Sequence, residues 1–195
     1  MIILLGFPKS GTTSFQKLFT MLGYTSYHQI KGDKFIALMI RENKKMNKPL
    51  LSDFLKTDVI TQMDVCYDTS QSYWPQIVDY KQIYDENSDA IFILNKRNPQ
   101  KLLESFKHWN NYNGRLFEYS PELINNKTDE GFIDFVNKHY ENIETFFSKR
   151  PNAKFITFDI ENDNIEKLKK HIDIKEIKEF PHANINRKKQ NISKS

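Results

Sequence analysis

The 195-residue chain has a single cysteine, Cys66. One thiol excludes an intrachain disulfide and a multi-cysteine metal site, and it fits a reducing compartment. Long apolar runs are missing too. Met1–Leu5 is apolar, but Gly6 and Pro8 follow at once, which fits neither a signal peptide nor a membrane span. The expectation is a soluble, cytoplasmic protein with no membrane partner. No long basic run interleaves with aromatic residues, so no nucleic-acid partner is expected. No group of His, Cys, Asp and Glu has metal-ligand spacing, so no metal is expected. Repeats and linkers are also lacking, and 1–195 reads as one domain.

What is present is aromatic and mildly basic. Fifteen Phe and nine Tyr within a 38% hydrophobic composition indicate a packed globule. The net charge of +4 would suit a substrate with several negative charges, although solvated surface lysines account for it equally well.

The pattern alternates between short apolar strands and amphipathic helices. Met1–Leu5 reads as a strand buried on both faces. A helix from about Thr12 to Leu22 follows, with Phe15, Leu18, Phe19 and Leu22 on one face and Gly23 ending it. Tyr24–Ile30 reads as the second strand, and Gly32-Asp33 as a turn into a helix through Phe35, Leu38, Met39 and Glu42. Leu50–Leu55 reads as a short helix and Val59–Val65 as a strand. Trp74-Pro75 opens a helix through Ile77, Val78 and Ile83. Ala90–Asn95 is the strongest internal strand signal, and a helix from Pro99 to about Trp109 follows it, proline suiting a first turn.

Residues 110–128 lack periodicity and are long for a bare connection, so a lid or a partly helical insert is expected there. A helix over Asp129–Ser148, a strand over Phe155–Phe158 and a helix over Ile165–Ile172 complete the pattern, before a basic tail over 180–195. Alternation of this kind predicts an α/β fold with a central parallel sheet flanked by helices, binding ligands at the carboxyl ends of its strands.

The chain is organised around residues 1–14. Strand, glycine-bounded loop (Gly6 to Gly11) and helix together aim backbone N–H groups and a helix dipole at one point, a site for phosphate or sulfate. The loop is close to the Walker A pattern G-x-x-x-x-G-K-[ST]. Here Thr12-Thr13 follows the second glycine, so the lysine that reaches the β/γ-phosphates of ATP is missing. The lysine is instead Lys9, inside the loop.

At these residues Pro8-Lys9-Ser10-Gly11-Thr12-Thr13 resembles the 5′-phosphosulfate loop of the sulfotransferases that use 3′-phosphoadenosine 5′-phosphosulfate (PAPS). The resemblance implies a single-domain, three-layer sandwich of the P-loop, nucleotide-kinase-like type. A second match supports it. Ile93-Leu94-Asn95-Lys96-Arg97-Asn98-Pro99, with Ser105 two turns along the next helix, resembles the strand-Arg-x-Pro-helix-Ser arrangement that holds the 3′-phosphate in that family. A third lies in the tail, where Phe180-Pro181-His182-Ala183-Asn184 precedes Arg187-Lys188-Lys189. Many members have Arg-Lys-Gly there. Lys189 replaces the glycine, so only Arg187 is carried over.

The resemblance implies PAPS as donor, its product 3′-phosphoadenosine 5′-phosphate (PAP), and no metal. Lys9 would stabilise the leaving phosphate oxygen. The N–H groups of Ser10, Gly11 and Thr12 and the hydroxyls of Thr12 and Thr13 would hold the 5′-phosphate. The acceptor would be a small molecule or glycan bearing a hydroxyl or amine, whose proton needs a general base. Family members of animals and plants place Lys-Thr-His after the strand matched by Val59–Asp64; this chain has Gln62-Met63-Asp64. Asp64 is therefore the candidate base, with His28 at the end of the second strand competing for the role and Asp68 replacing Asp64 if the strand register shifts. Two alternatives stand beside this expectation. One is a P-loop nucleotide kinase or NTPase, which the position of Lys9 disfavours. The other is a non-catalytic PAPS/PAP-binding relative.

Overall fold

Strands that are apolar on both faces must be covered on both faces. A computed structural model describes residues 1–174 and 177–183. In chain order its elements are β1 (Ile2–Leu4), α1 (Thr12–Met21), β2 (Ser26–His28), β3 (Ile30–Lys31), β4 (Lys34–Phe35) and α2 (Ile36–Lys45). Then come a 3-10 turn (Ser52–Phe54) where a short helix was expected, β5 (Val59–Gln62), β6 (Val65–Cys66), β7 (Ser72–Tyr73), α3 (Pro75–Val78), α4 (Tyr80–Glu86) and β8 (Ile91–Lys96). The remainder is α5 (Pro99–His108), α6 (Tyr112–Tyr119), α7 (Asp129–Ser148), β9 (Lys154–Asp159) and α8 (Ile165–Lys169).

The main sheet has the order β4-β3-β2-β5-β1-β8-β9. Its five strands β2, β5, β1, β8 and β9 are parallel, and β3 and β4 extend one edge as an antiparallel hairpin. Successive β1 side chains build the two flanking layers. Ile2 and Leu4 pack with Phe15, Leu18 and Phe19 of α1 and with Ile165 and Leu168 of α8. Ile3 and Leu5 belong to the opposite core, with Ile36 and Ile40 of α2, Leu102 and Phe106 of α5, and Val136 and Ile143 of α7. The result is the expected three-layer α/β sandwich.

Helix ends follow their sequence signals. Gly23 takes a left-handed φ of 79°. Its N–H reaches the Thr20 carbonyl and that of Tyr24 reaches Phe19, which closes α1 in the glycine-dependent manner. Asn98 caps α5 by accepting from the N–H groups of Gln100 and Lys101, with Pro99 in the first turn. Thr128 caps α7 by accepting from Gly131 N–H, and Asp129 and Glu130 face the positive end of that helix.

Four expectations differ from the structure. Gly32-Asp33 does not lead straight into a helix; it is the turn of the β3–β4 hairpin, with α2 beginning at Ile36. The second strand breaks at Gln29, whose φ of 64° turns the chain back so that β3 runs antiparallel to β2. Strand β5 ends at Gln62, and the chain leaves the main sheet for the separate β6–β7 hairpin. The helix after Trp74 is divided at Asp79 into α3 and α4. Residues 110–128 hold the helix α6, anchored where Trp109 stacks on Tyr112 with ring centroids 4.6 Å apart. Of the basic tail, residues 184–195 lie outside the described residues, Arg187 among them.

Among the described residues, no helix is long and apolar enough to cross a membrane, and no group of three or more His, Cys, Asp or Glu could hold a metal ion.

Candidate active site

The loop between β1 and α1 is shaped by one buried side chain of β8. Asn95, fully buried, accepts from Gly6 N–H at 2.9 Å and donates through Nδ2 to the Ser10 carbonyl at 2.9 Å and to Ser10 Oγ at 2.7 Å. Ser10 Oγ in turn donates to the Phe7 carbonyl. A Cβ at Gly6 would collide with the Asn95 backbone and side chain, so glycine is required for β1 and β8 to approach this closely. Lys9 and Gly11 both adopt left-handed backbone, with φ of 65° and 82°. For a lysine that conformation costs on the order of 1–3 kcal/mol, a kind of strain that collects at ligand-binding loops.

Arg97, the residue after β8, folds back onto this loop. Its Nη1 donates to the Lys9 carbonyl at 2.8 Å, and its own N–H donates to the Tyr140 hydroxyl of α7 at 3.2 Å. Its Nε is buried without a hydrogen-bond partner among the described residues. The Lys9 ammonium lies over the Trp109 ring, 5.1 Å from its centroid. Burial, and then the neighbouring Arg97 charge, hold the Lys9 pKa below the ordinary value. Neither cation has a carboxylate ion pair among the described residues. Two partly buried cations with donors to spare suit an anion with more than one charged group.

Both groups open on one cleft of about 520 Å³. Lys9, Gly11, Thr12 and Thr13 line it from the loop and α1, Arg97 and Ser105 from the β8–α5 side, and His28 from the end of β2. Ile160, Glu161, Phe180 and His182 form a further wall. Ile160 sits so near Gly11 that a Cβ there would come within 2.8 Å of it. The Ala183 N–H donates to Ser14 Oγ at 3.0 Å, tying the wall to α1. Pro8, Ser10 and Asp64 are not among the residues facing the cleft. The Ser10 N–H bonds to the Phe7 carbonyl at 3.3 Å and its side chain turns inward.

The two candidate bases occupy different surroundings. Asp64 is 1% exposed, and its carboxylate accepts from Gln62 Nε2 at 3.3 Å, Gln76 Nε2 at 3.1 Å and the Tyr112 hydroxyl at 3.1 Å. Burial pushes its pKa up to about 6 despite these donors. It meets the loop only through Gln62, whose Oε1 accepts from the Thr12 hydroxyl at 3.0 Å. His28 lies on the cleft itself, its Nδ1 3.1 Å from Thr61 Oγ1. Burial lowers its pKa to about 4, so the ring is neutral near pH 7 and has one basic nitrogen. Asp68 lies in the β6–β7 turn and holds Ser70 and Gln71 through Oδ1.

Asn95, Trp109, Gln62, Thr61 and Glu161 are site residues to which sequence reasoning gave no role, although Asn95 and Gln62 lie within matched stretches. The one local signal was polarity at the end of apolar strands: Asn95 closes an apolar run, and Thr61-Gln62 follows Val59-Ile60.

A family profile described as a sulfotransferase domain matches residues 1–120, a stretch that takes in the loop, His28, Asp64, Arg97 and Ser105. No curated protein matches the chain.

Proposed function

This chain belongs to the sulfotransferase family, and from that premise we propose that it moves a sulfuryl group from PAPS to a hydroxyl or amine of a small-molecule or glycan acceptor. The observation that carries the proposal is the single cleft shared by the Lys9 loop and the Arg97–Ser105 pair, two anion sites where a mononucleotide triphosphate needs only one. The position of Lys9 ahead of Gly11 favours this donor over ATP.

The donor supplies the activated sulfuryl group; the protein supplies position and charge. Lys9 neutralises the phosphate oxygen that is released, its pKa lowered by partial burial and by the Arg97 charge. The N–H groups at the start of α1 and the Thr13 hydroxyl hold the 5′-phosphate, with the helix dipole adding to the field. Arg97, through its remaining guanidinium donors, and Ser105, through its hydroxyl, hold the 3′-phosphate. Arg187 remains a proposed third contact, and residues 110–128 a proposed lid over one domain spanning 1–195.

His28 is the base we assign, because it faces the cleft. Its pKa of about 4 makes it a weak base alone, and the negative charge of a bound donor beside it favours the protonated ring. Asp64 acts at one remove, orienting Gln62 and through it Thr12.

Thermal shift tests the donor assignment. PAP should stabilise the protein without metal, while ATP with magnesium should give a markedly smaller shift. Equal stabilisation by both would overturn it in favour of a nucleotide kinase or NTPase. PAP binding without turnover of labelled PAPS against mixed acceptors would identify a non-catalytic relative.

A further inference from the structure

Two polar rungs link α1 to β5 under the cleft. Thr12 and Gln16, one helical turn apart, face Gln62 and Thr61, which are adjacent on the strand. The first rung runs on to Asp64. The second runs on to His28, and its proton positions can be worked out link by link.

Gln16 Nε2 donates to the Ser26 carbonyl at 2.9 Å. The reverse amide orientation would set two oxygens against each other, so Oε1 must be the atom that faces Ser26 Oγ at 2.6 Å and Thr61 Oγ1 at 2.9 Å. Thr61 Oγ1 also lies 3.2 Å from the Tyr27 carbonyl. Both oxygens can only accept, and a Thr61 proton given to His28 would leave two close oxygen–oxygen contacts with no hydrogen between them, so it goes to one of the two oxygens. That leaves a lone pair of Thr61 Oγ1 facing His28 Nδ1, and the Nδ1 atom must carry the hydrogen. Thr61 itself is fully buried in the interior of a parallel strand, where a valine would fit and where an unbonded hydroxyl would be costly.

We propose that Gln16 and Thr61 are positioning residues that hold His28 as the Nδ1–H tautomer and leave Nε2 as the bare proton acceptor on the cleft. As a catalytic device the pair rests on the assignment of His28 as base. In the step it serves, the acceptor O–H or N–H bond breaks and its proton bonds to His28 Nε2. The freed electron pair forms the new bond to sulfur, and the bond from sulfur to the phosphate oxygen breaks, leaving its pair on that oxygen beside Lys9. The imidazolium keeps its Nδ1–H on Thr61, so the Thr61 and Gln16 protons do not move.

Long-range proton–nitrogen NMR on the whole protein at pH 7.5 reads the tautomer directly, with His28 assigned by its loss in His28→Phe. The expected result is a protonated, pyrrole-type Nδ1 and an unprotonated Nε2; the opposite pattern overturns the proposal. Thr61→Val removes the oxygen and should shift the ring toward the Nε2–H form. It should lower kcat with PAPS on the order of ten- to a hundredfold, up to the low end of what general base catalysis contributes, with the donor KM unchanged. Thr61→Ser should restore both the tautomer and the rate. Unchanged kcat in Thr61→Val, or no rescue by a folded Thr61→Ser, overturns the catalytic role. The tautomer is read on the wild-type protein, and triple-resonance assignment of its ring replaces His28→Phe if that variant misfolds, so a misfolded mutant cannot hide the answer. Failure of the donor assignment shows separately, as absent stabilisation by PAP.

Discussion

Arg97 Nη1 donates to the backbone carbonyl of Lys9 at 2.8 Å, so the residue that follows β8 holds the left-handed turn at the centre of the β1–α1 loop. The bond crosses 88 positions of sequence. It also sets two cations side by side, each partly stripped of water. Such an arrangement is unfavourable without a ligand and favourable with a polyanion, which is how a binding site differs from a stable surface.

Arg97→Ala should therefore do two things: remove a phosphate contact and release the Lys9 carbonyl. PAP affinity by calorimetry is expected to fall on the order of 10- to 100-fold, as loss of about 1.5–3 kcal/mol from charge-assisted hydrogen bonding implies. Arg97→Lys should recover only part of it, because an ammonium cannot reach both the loop carbonyl and a phosphate with a planar fork. Wild-type affinity in Arg97→Ala would contradict this assignment.

Lys9 should show opposite effects on stability and turnover. Its φ of 65° suits glycine, and its charge is partly buried against Arg97. Lys9→Gly is expected to leave the melting temperature equal to or above wild type. It should also cut kcat with PAPS on the order of 10²–10³-fold, the usual effect of losing one preorganised charge stabiliser. A melting temperature several degrees lower would show that the lysine stem, not the turn, holds the loop.

Three glycines should rank by what surrounds them. Gly6→Ala forces a Cβ into Asn95 and should cost about 3 kcal/mol or more in denaturant unfolding, because two central strands must separate. Gly11→Ala combines a φ of 82° with a contact on Ile160 and should fall next. Gly23→Ala meets nothing within 4 Å and should cost only about 1 kcal/mol, the price of a left-handed alanine. Equal losses at Gly6 and Gly23 would argue against the close β1–β8 approach.

Stability should rise with pH between about 4 and 6.5. His28 and His139 are lowered by burial to about 4 from an ordinary value of 6.5. The folded state thus binds fewer protons than the unfolded chain in that interval, and their contribution is complete above 6.5 and lost as pH falls through 4. Asp64, raised by burial from 3.8 to about 6, works the other way, favouring the folded state at low pH and losing that advantage as pH rises through 6. Two histidines against one carboxyl leave a net slope of at most about 1.4 kcal/mol per pH unit. Asp64→Asn removes the opposing group and should steepen the slope in urea titrations from pH 4.5 to 7. A shallower slope would mean that Asp64 is not the raised carboxyl.

Much of this protein is written locally. An apolar run, a glycine-bounded loop and a helical periodicity marked β1, the loop and α1. Pro99 marked the start of α5, and the spacing of apolar residues over Asp129 to Ser148 marked α7. The β3–β4 hairpin was not legible, because Phe35, Leu38 and Met39 continue a helical spacing backward past the point where edge pairing takes over. The surroundings of Asp64 were not legible for a related reason. Strand β5 ends two residues before it, and only the packing of α3 and α6 decides that its carboxylate meets Gln76 and Tyr112.

The sequence by itself determined the alternation of the parallel strands with the longer helices, the turn chemistry of the loop and the two residue sets proposed to hold phosphate-like groups, since each depends on neighbours within a turn or a strand. Tertiary structure alone decided that Lys9 and Arg97 share one cleft, that Asn95 shapes the loop, and that Gln16 and Thr61 stand behind His28. A parallel sheet gathers the carboxyl ends of strands far apart in the chain, and which polar side chains meet there depends on register and crossover, for which local spacing carries no signal.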